Sequence, residues 1–536
     1  MSRLFARLVS CFLLTSGICA AADPQFDVLL LNGTLYDGTG GAPAKGDLGI
    51  SEGKISAIGD LDDRQAGVRV DCDGLIICPG FIDLHNHSDG QIIAPLTRGN
   101  INFLLQGCTT VVTGNCGAGP VNAAAYFDKI DAAGAGTNVV HLLPQGSLRE
   151  QVLGSVDRVA TPAEVETMRE LADQAMRDGV WGMSTGLIYV PGSYTQTDEL
   201  SEIAKIVAKH GGLYASHIRD ESQGLLGAID EALKIGKASG ARVHISHFKS
   251  SGKQAWGLIR QAAAQIEAAR TAGQVVTADQ YPYIASSTSL EAFMVPTWAR
   301  EGGSKGLAKR LTDPEQTAKI REAVVEEMKE RGPDAPIRIA RYTLQPRWIG
   351  KSLQEIGELE NRDPVDIVLE ICRNGGAAAV SFGMNEDDVR FAMQLPWVAT
   401  ASDGRAYVPG ADRPHPRSYG TFARKIGYYS IQHEVLPLTA AIRSASGLPA
   451  DILGWTDRGY LKPGLIADIA VFNPREFRDV ATFDDPHRYS VGVKYVYVNG
   501  EPVVFQGQPT GALPGRAIRY KSPLLANATG GRVSIP

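Results

Sequence analysis

Six side chains in this sequence have the donor atoms and the spacing to hold a divalent cation: His85, His87, Cys116, His217, His247 and Asp403. In "PGFIDLHNHSDG", His85 and His87 stand two apart at the end of an apolar run. Residues i and i+2 of an extended chain face the same way, so both imidazoles reach one ion. The bland alternative is a pair of surface or core histidines at a turn. His217 closes "GLYASHI", His247 closes "RVHISHF", and Asp403 follows the apolar run in "WVATASDG". A lone histidine at a strand end is more often structural than a ligand. Four histidines and an acid at the carboxyl ends of successive β-rich runs are better explained by shared chemistry, because barrel enzymes assemble their sites on that face.

Cys116, in "VVTGNCGAG", has three readings: half of a disulfide, a buried thiol, or a metal ligand. The compartment bears on the choice. "MSRLFARLVSCFLLTSGICAAAD" sets Arg3 and Arg7 ahead of an apolar run and ends in Ala20-Ala21-Ala22, the pattern of a secretory signal over residues 1–22. Ile18 before Cys19 fits a lipid anchor poorly, and no later stretch is apolar for the ~18 residues of a membrane span. The expectation is an exported protein, periplasmic or secreted. Of 7 cysteines, Cys11 and Cys19 leave with the signal, so 7 − 2 = 5 remain, an odd number in an oxidising compartment. If Cys108 and Cys116 flank one strand, they are separated by far more than the ~7 Å a disulfide spans. Thiolate and neutral imidazole are good Zn²⁺ ligands, so ligation by Cys116 beside His217 and His247 is the favoured reading. Ligation would also shield the thiolate from oxidation.

The remaining histidines lack such company. His244, three residues before His247, is expected on the opposite side of its strand in a structural role. His141 in "VVHLLP" could line a barrel without a partner pattern, and His210, His433 and His487 read as helix or surface residues.

These side chains need a scaffold that brings strand ends together. A chain of 536 residues, 44% hydrophobic and 21% charged with net charge −6, is long enough for a large core and offers no basic field for nucleic acid. Its 59 glycines often follow short apolar runs, as turns at strand ends require. "GFIDLH", "CTTVVTG", "NVVHLLP", "GVWGMSTGL", "GLYASHI", "ARVHISHF", "QVVTADQYPY" and "PWVATASDG" read as strands. They alternate with amphipathic helices such as "PAEVETMRELADQAMRDG", the rhythm of a (β/α)8 TIM-like barrel over residues 78–454. Residues 286–342, with the charged "DPEQTAKIREAVVEEMKERG", break that rhythm and read as a subdomain inserted after the seventh strand, over the active face. Short strands and turns at 23–77 and 455–520 suggest one small β-sandwich domain built from both termini, followed by a tail at 521–536. The fold class is therefore α/β. No internal repeat or low-complexity segment is evident.

With these residues in view, the chain resembles the amidohydrolase superfamily, specifically its N-acyl-D-amino-acid deacylase (D-aminoacylase) family. "GFIDLHNHSD", "TTVVTGNCG", "STGLIYVPG", "SHIRDE", "ISHFK", "DQYPY", "ASDG", "RPHPRSYGTF" and "GLIADIAVFNP" match that family's motifs in order, from about residue 26 to 520. The resemblance implies a tight zinc site at Cys116, His217 and His247, and an adjacent, variably occupied site at His85, His87 and Asp403, with Cys116 able to bridge. Relatives such as dihydroorotases and hydantoinases use a carboxylated lysine as the bridge. Here the corresponding strand offers Cys116.

The expected reaction is hydrolysis of an N-acyl-D-amino acid to a carboxylate and a free D-amino acid, with Asp403 as general base and then acid. The substrate α-carboxylate is expected at Lys249 and Arg417, helped by Tyr281 or Tyr283, with Tyr189 as a pocket wall and Ser287 or Ser286 as lesser contacts. Two departures from the family pattern bear on specificity: the long loop "GRAYVPGADRPHPRS", and Phe248 where many relatives carry a second histidine. An acidic substrate side chain would need one more cation, from Arg219 or Arg405. Two alternatives stay open, another exported metal-dependent amidase acting on a dipeptide or cyclic imide, and a non-catalytic metal-binding barrel.

Overall fold

The eight apolar runs become eight parallel strands: β1 (Phe81–Asp83), β2 (Cys108–Thr113), β3 (Asn138–His141, continued by Leu143–Pro144), β4 (Gly182–Gly186), β5 (Leu213–His217), β6 (Arg242–Ile245), β7 (Val276–Gln280) and β8 (Val398–Thr400). The computed structural model describes residues 25–332 and 336–524. The expected signal, residues 1–22, and most of the expected tail lie outside them. Each strand pairs in parallel with the next, for example Val111 with Val139, Gly186 with His217, and Asp279 with Ala399. The ring closes between β8 and β1 through a bridge of Asn86 to Gly404 and a hydrogen bond from Asp403 N–H to the His85 carbonyl at 2.8 Å.

Period-2 alternation decides what faces the lumen. On β5, Leu213 and Ala215 join Val112, Val140, Ala399 and Trp181 in an apolar plug. Tyr214 points out to the helical layer. His217 is next on the inward face, so the same alternation that fills the lower barrel with hydrocarbon crowns it with an imidazole.

Helices cover the outside. Pro162–Asp178 begins with Thr161, whose side chain accepts from Glu164 N–H while Glu164 returns the bond, has Pro at its first turn, and stops at Gly179. Its Met168, Ala172 and Met176 are fully buried against the strands beside Ile203 and Val207 of the next helix. Each large side chain so buried is worth about 1.5–3 kcal/mol.

The inserted unit is larger than residues 286–342. Its sheet orders Ala285–Ser289, Ala378–Phe382 and Ile337–Arg341 antiparallel, and the central strand comes last in sequence. The unit therefore extends to Phe382, because without that strand the outer two have no partner. It has its own core around Leu290, Trp348, Ile356 and Ile371.

The strands from both termini form one nine-stranded hydrogen-bonded sheet. One apolar cluster gathers Leu30, Ile50, Val70, Ile469 and Tyr497, so the sheet wraps around its own core. Its other face packs on the barrel through Ala470, Phe472 and Val496. The segment expected to finish this domain instead leaves it. Arg516 O accepts from Val139 N–H at 2.9 Å and Ile518 N–H donates to Val139 O at 2.8 Å, so this stretch runs along the barrel wall.

Candidate metal centre

The strand ends bring all six expected donors together. Cys116 Sγ lies 3.2 Å from His85 Nε2, 3.5 Å from His217 Nδ1 and 3.7 Å from His247 Nε2, and the last two nitrogens are 2.8 Å apart. Asp403 Oδ1 lies 3.0 Å from His87 Nε2 and 3.5 Å from His85 Nε2. Three overlapping triads result: His85–His87–Cys116, Cys116–His217–His247 and His85–His247–Asp403. A tetrahedral zinc with nitrogen at ~2.05 Å and sulfur at ~2.3 Å sets nitrogen pairs about 3.3 Å apart and nitrogen–sulfur pairs about 3.6 Å. The two nitrogen–sulfur edges of the Cys116–His217–His247 triangle match that ion, as does its donor chemistry, while the nitrogen–nitrogen edge of 2.8 Å is about 0.5 Å shorter than the bound geometry requires.

Cys116 is set by a pinned loop. Gly114, Cys116 and Gly117 are left-handed, at φ 75°, 52° and 69°. Gly114 N–H donates to Asp89 Oδ1 at 2.8 Å, and Gly117 N–H to Ser184 Oγ at 3.0 Å. His141 Nε2–H donates to the Pro120 carbonyl at 2.9 Å, and its Nδ1 lies 2.9 Å from Thr113 Oγ1. A Cβ on Gly117 would fall 2.9 Å from Gly186 N, which closes the loop to anything larger. His141 is therefore a clamp on the cysteine loop, a role its sequence context does not show. All five described cysteines are free and buried.

Two acids complete the centre, Glu221 in "SHIRDE" and Asp279 in "DQYPY". Glu221 Oε1 lies 2.8 Å from His247 Nδ1 and 2.5 Å from Lys249 Nζ. Asp279 accepts His247 N–H at 2.6 Å and lies 2.9 Å from His244 Nε2 and 3.5 Å from His85 Nδ1. His244 thus points into the lumen, and the expected opposition of His244 and His247 fails for a physical reason. The strand ends at Ile245, and φ 38° at His247 turns that residue out of the alternation.

Electrostatics follow from this packing. Burial works against ionisation of Cys116, yet the charges of His85 and His217 and hydrogen bonds from His217 and His247 hold its thiol well below the ordinary range. Burial likewise opposes the Asp403 carboxylate, but Arg417, His85 and His87 keep it well below the usual carboxylate range.

The substrate candidates divide. Arg417 Nη1 reaches Asp403 Oδ2 at 2.8 Å, and its Nη2 donates to Ser287 O at 3.0 Å. The Tyr281 ring lies 4.9 Å from the Arg417 guanidinium and 5.6 Å from Lys249 Nζ, with its buried hydroxyl unpartnered. Tyr189 lines the cavity, its ring 5.0 Å from His217 and its hydroxyl accepting from Thr288 at 3.1 Å. Ser287 lines the cavity too, but its hydroxyl is taken by the Ala379 carbonyl at 2.9 Å. Tyr283 is not at the centre: after Pro282 the chain turns, and its ring packs on His415 at 5.0 Å beneath Arg424. Arg219 is tied to Glu231 and to the Ser193 and Thr195 carbonyls, all at 2.9 Å, whereas Arg405 lines the cavity. Phe248 packs on Trp397 in the barrel core, so it does not shape the substrate region.

This barrel with donors converging at its carboxyl face is that of a metal-dependent hydrolase, and the profile of the amidohydrolase family matches residues 69–504. The chain is similar to a D-aminoacylase of Alcaligenes xylosoxydans xylosoxydans, 34% identical over 92% of this chain and 97% of the relative. It is 33% identical to the N-acyl-D-glutamate deacylase of the same organism, over 92% of this chain and 97% of that one. A solved D-aminoacylase described as having a binuclear metal centre superposes with TM-score 0.79 at 32% identity, covering 92% of this chain and 100% of that one. An N-acyl-D-glutamate deacylase of Bordetella bronchiseptica, solved with zinc and a phosphonate mimic of the tetrahedral intermediate, also superposes with TM-score 0.79 at 32% identity, covering 92% of this chain and 99% of that one. The chain belongs to the amidohydrolase family, in its N-acyl-D-amino-acid deacylase (D-aminoacylase) branch. It is a metal-dependent amidohydrolase acting on linear amides.

Proposed function

We propose that the protein is an exported zinc enzyme that hydrolyses the amide of N-acyl-D-amino acids to a carboxylate and a free D-amino acid. The carrying observation is the placement of Asp403, with one oxygen 3.0 Å from His87 Nε2 and the other 2.8 Å from Arg417 Nη1. One carboxylate thereby joins the metal donors to the cation best placed for a substrate carboxylate. Cys116, His217 and His247 would hold the tight zinc, with His85, His87 and Asp403 around a second position. Zinc bound there would polarise the scissile carbonyl and lower the pKa of water from ~15.7 to about 7.

The chain's own residues do the rest. Asp403, ionised at neutral pH, accepts a proton from the attacking water and delivers it to the departing amine. Arg417 and Lys249, with the free hydroxyl of Tyr281 beside them, hold the α-carboxylate and so fix which face of the amide meets Asp403. Tyr189 walls the pocket on the Cys116 side. Export rests on the Arg3–Ala22 segment, and secretion from cells with cleavage near Ala22 is its test.

Zinc-loaded protein assayed on N-acetyl and N-formyl amino acids of both hands tests the activity. D-selective release of free amine is expected. Absence of D-selectivity overturns the reading.

A further inference from the structure

The cavity over the metal centre measures about 560 Å³ and reaches well beyond the donors. Of the two cations assigned to the α-carboxylate, Arg417 lines this cavity and pairs with Asp403, and Lys249 pairs with Glu221. Two more guanidinium groups line it, those of Arg341 and Arg405, and among the described residues neither has an ion-pair or hydrogen-bond partner for its side chain.

Both are carried on fixed backbone. Arg405 stands two residues beyond Asp403, with its N–H donating to Ser418 Oγ at 3.2 Å and its carbonyl accepting from Asn102 Nδ2 at 3.1 Å. Arg341 ends the strand Ile337–Arg341 of the inserted unit, paired with Ala378. Arg405 is half-buried and Arg341 lies at the rim. The charges of Arg405, Asp412, Arg341 and Arg417 all act on the hydroxyl of Tyr407, which lines the same wall. The acids of the outer cavity are Asp412, committed to His487 at 3.0 Å, and Glu291, whose Oε1 accepts from Ser304 Oγ at 3.3 Å. Unpaired guanidinium forks beside a reacting centre suit a planar anion, which they bind through paired N–H donors.

We propose that Arg405 and Arg341 form a second anion subsite, so that the substrate is a dicarboxylate: an N-acyl-D-amino acid with a further carboxylate on its side chain or on its acyl group. This rests on the deacylase reading, which supplies the first carboxylate at Arg417, Lys249 and Tyr281.

The test is kcat/KM of the zinc-loaded enzyme on N-acetyl-D-glutamate and N-succinyl-D-leucine against their singly charged counterparts, N-acetyl-D-glutamine and N-acetyl-D-leucine. A preference of tenfold or more for one dianion is expected, and the favoured one tells side chain from acyl group. Arg405→Ala and Arg341→Ala should each cut that preference at least tenfold, with Arg405→Lys restoring part of it. Equal rates on dianion and counterpart, or a preference untouched by both alanine variants, overturns the subsite. If none of the four amides is cleaved, the deacylase reading falls. Calorimetric binding of glutarate against butyrate then decides the subsite alone: glutarate bound more tightly, with the advantage lost in Arg405→Ala, upholds it, and equal binding overturns it.

Discussion

His247 Nδ1 lies 2.8 Å from Glu221 Oε1, while its Nε2 faces Cys116 and His217. One imidazole is thereby held in a single orientation by a carboxylate that also carries Lys249. Glu221→Gln should weaken zinc binding about 10–100-fold, the usual cost of losing such a partner. Competition with a chromophoric chelator measures it, and an unchanged affinity would show that the loop alone orients His247.

Cys116 contributes the only sulfur at the centre among the described residues, and its thiol is held well below its ordinary range by the charges of His85 and His217 against the pull of burial. Cys116→Ser should lose tightly bound zinc and turnover while circular dichroism stays as in the parent. Full zinc occupancy after dialysis would remove Cys116 from the ligand set.

His141 anchors the far end of the cysteine loop at the Pro120 carbonyl. In the cobalt-substituted enzyme, His141→Phe should weaken and shift the near-UV thiolate-to-cobalt band, because Cys116 is no longer held in its left-handed conformation. A purely structural role would lower the melting temperature and leave that band in place.

Asp403→Asn keeps the shape but removes the carboxylate proposed to accept the proton. A fall in kcat of about 10²–10⁴ is expected, the range for loss of a general acid–base. Metal analysis of the same sample should still find zinc at the Cys116 triad. Undiminished turnover would favour a different base.

Lys425 is 1% exposed, its Nζ has no hydrogen-bond partner, and burial pushes its pKa down to about 7. In the unfolded chain it titrates near ~10.4. Between those values the unfolded state holds the extra proton, so this group makes stability rise with pH from about 7 to about 10. Lys425→Met should therefore stabilise the protein by roughly 3–5 kcal/mol at pH 7, with the gain fading towards pH ~10.5. Thermal scans of both proteins across that range report it. A pH-independent difference would mean that the ammonium is not desolvated.

Much of the centre was legible because strand alternation is a local property. His85 and His87 at i and i+2, and His217 continuing the face of Leu213 and Ala215, follow from the pleat alone. The barrel was legible for the same reason, as eight apolar runs separated by helix-forming stretches leave few other arrangements. Cys116, His247 and Asp403 stand at the ends of those runs, but their φ values of 52°, 38° and 50° lie outside the alternation. Chain position told that they were near, and only the folded backbone told where they point.

The residues that hold the donors were harder to find. Glu221, Asp279 and His141 act across strands on groups 26, 32 and 21 residues away in sequence. The same limit hid the end of the inserted unit, where Ala378–Phe382 closes a sheet begun at Ala285. It also concealed that Tyr283 turns from the centre and that Arg219 is spent on Glu231. Sequence by itself determined the donor types, their spacing and the scaffold, because these depend on local periodicity. Tertiary structure decided which charges are paired and which are left free, since pairing depends on distances that only the closed barrel sets.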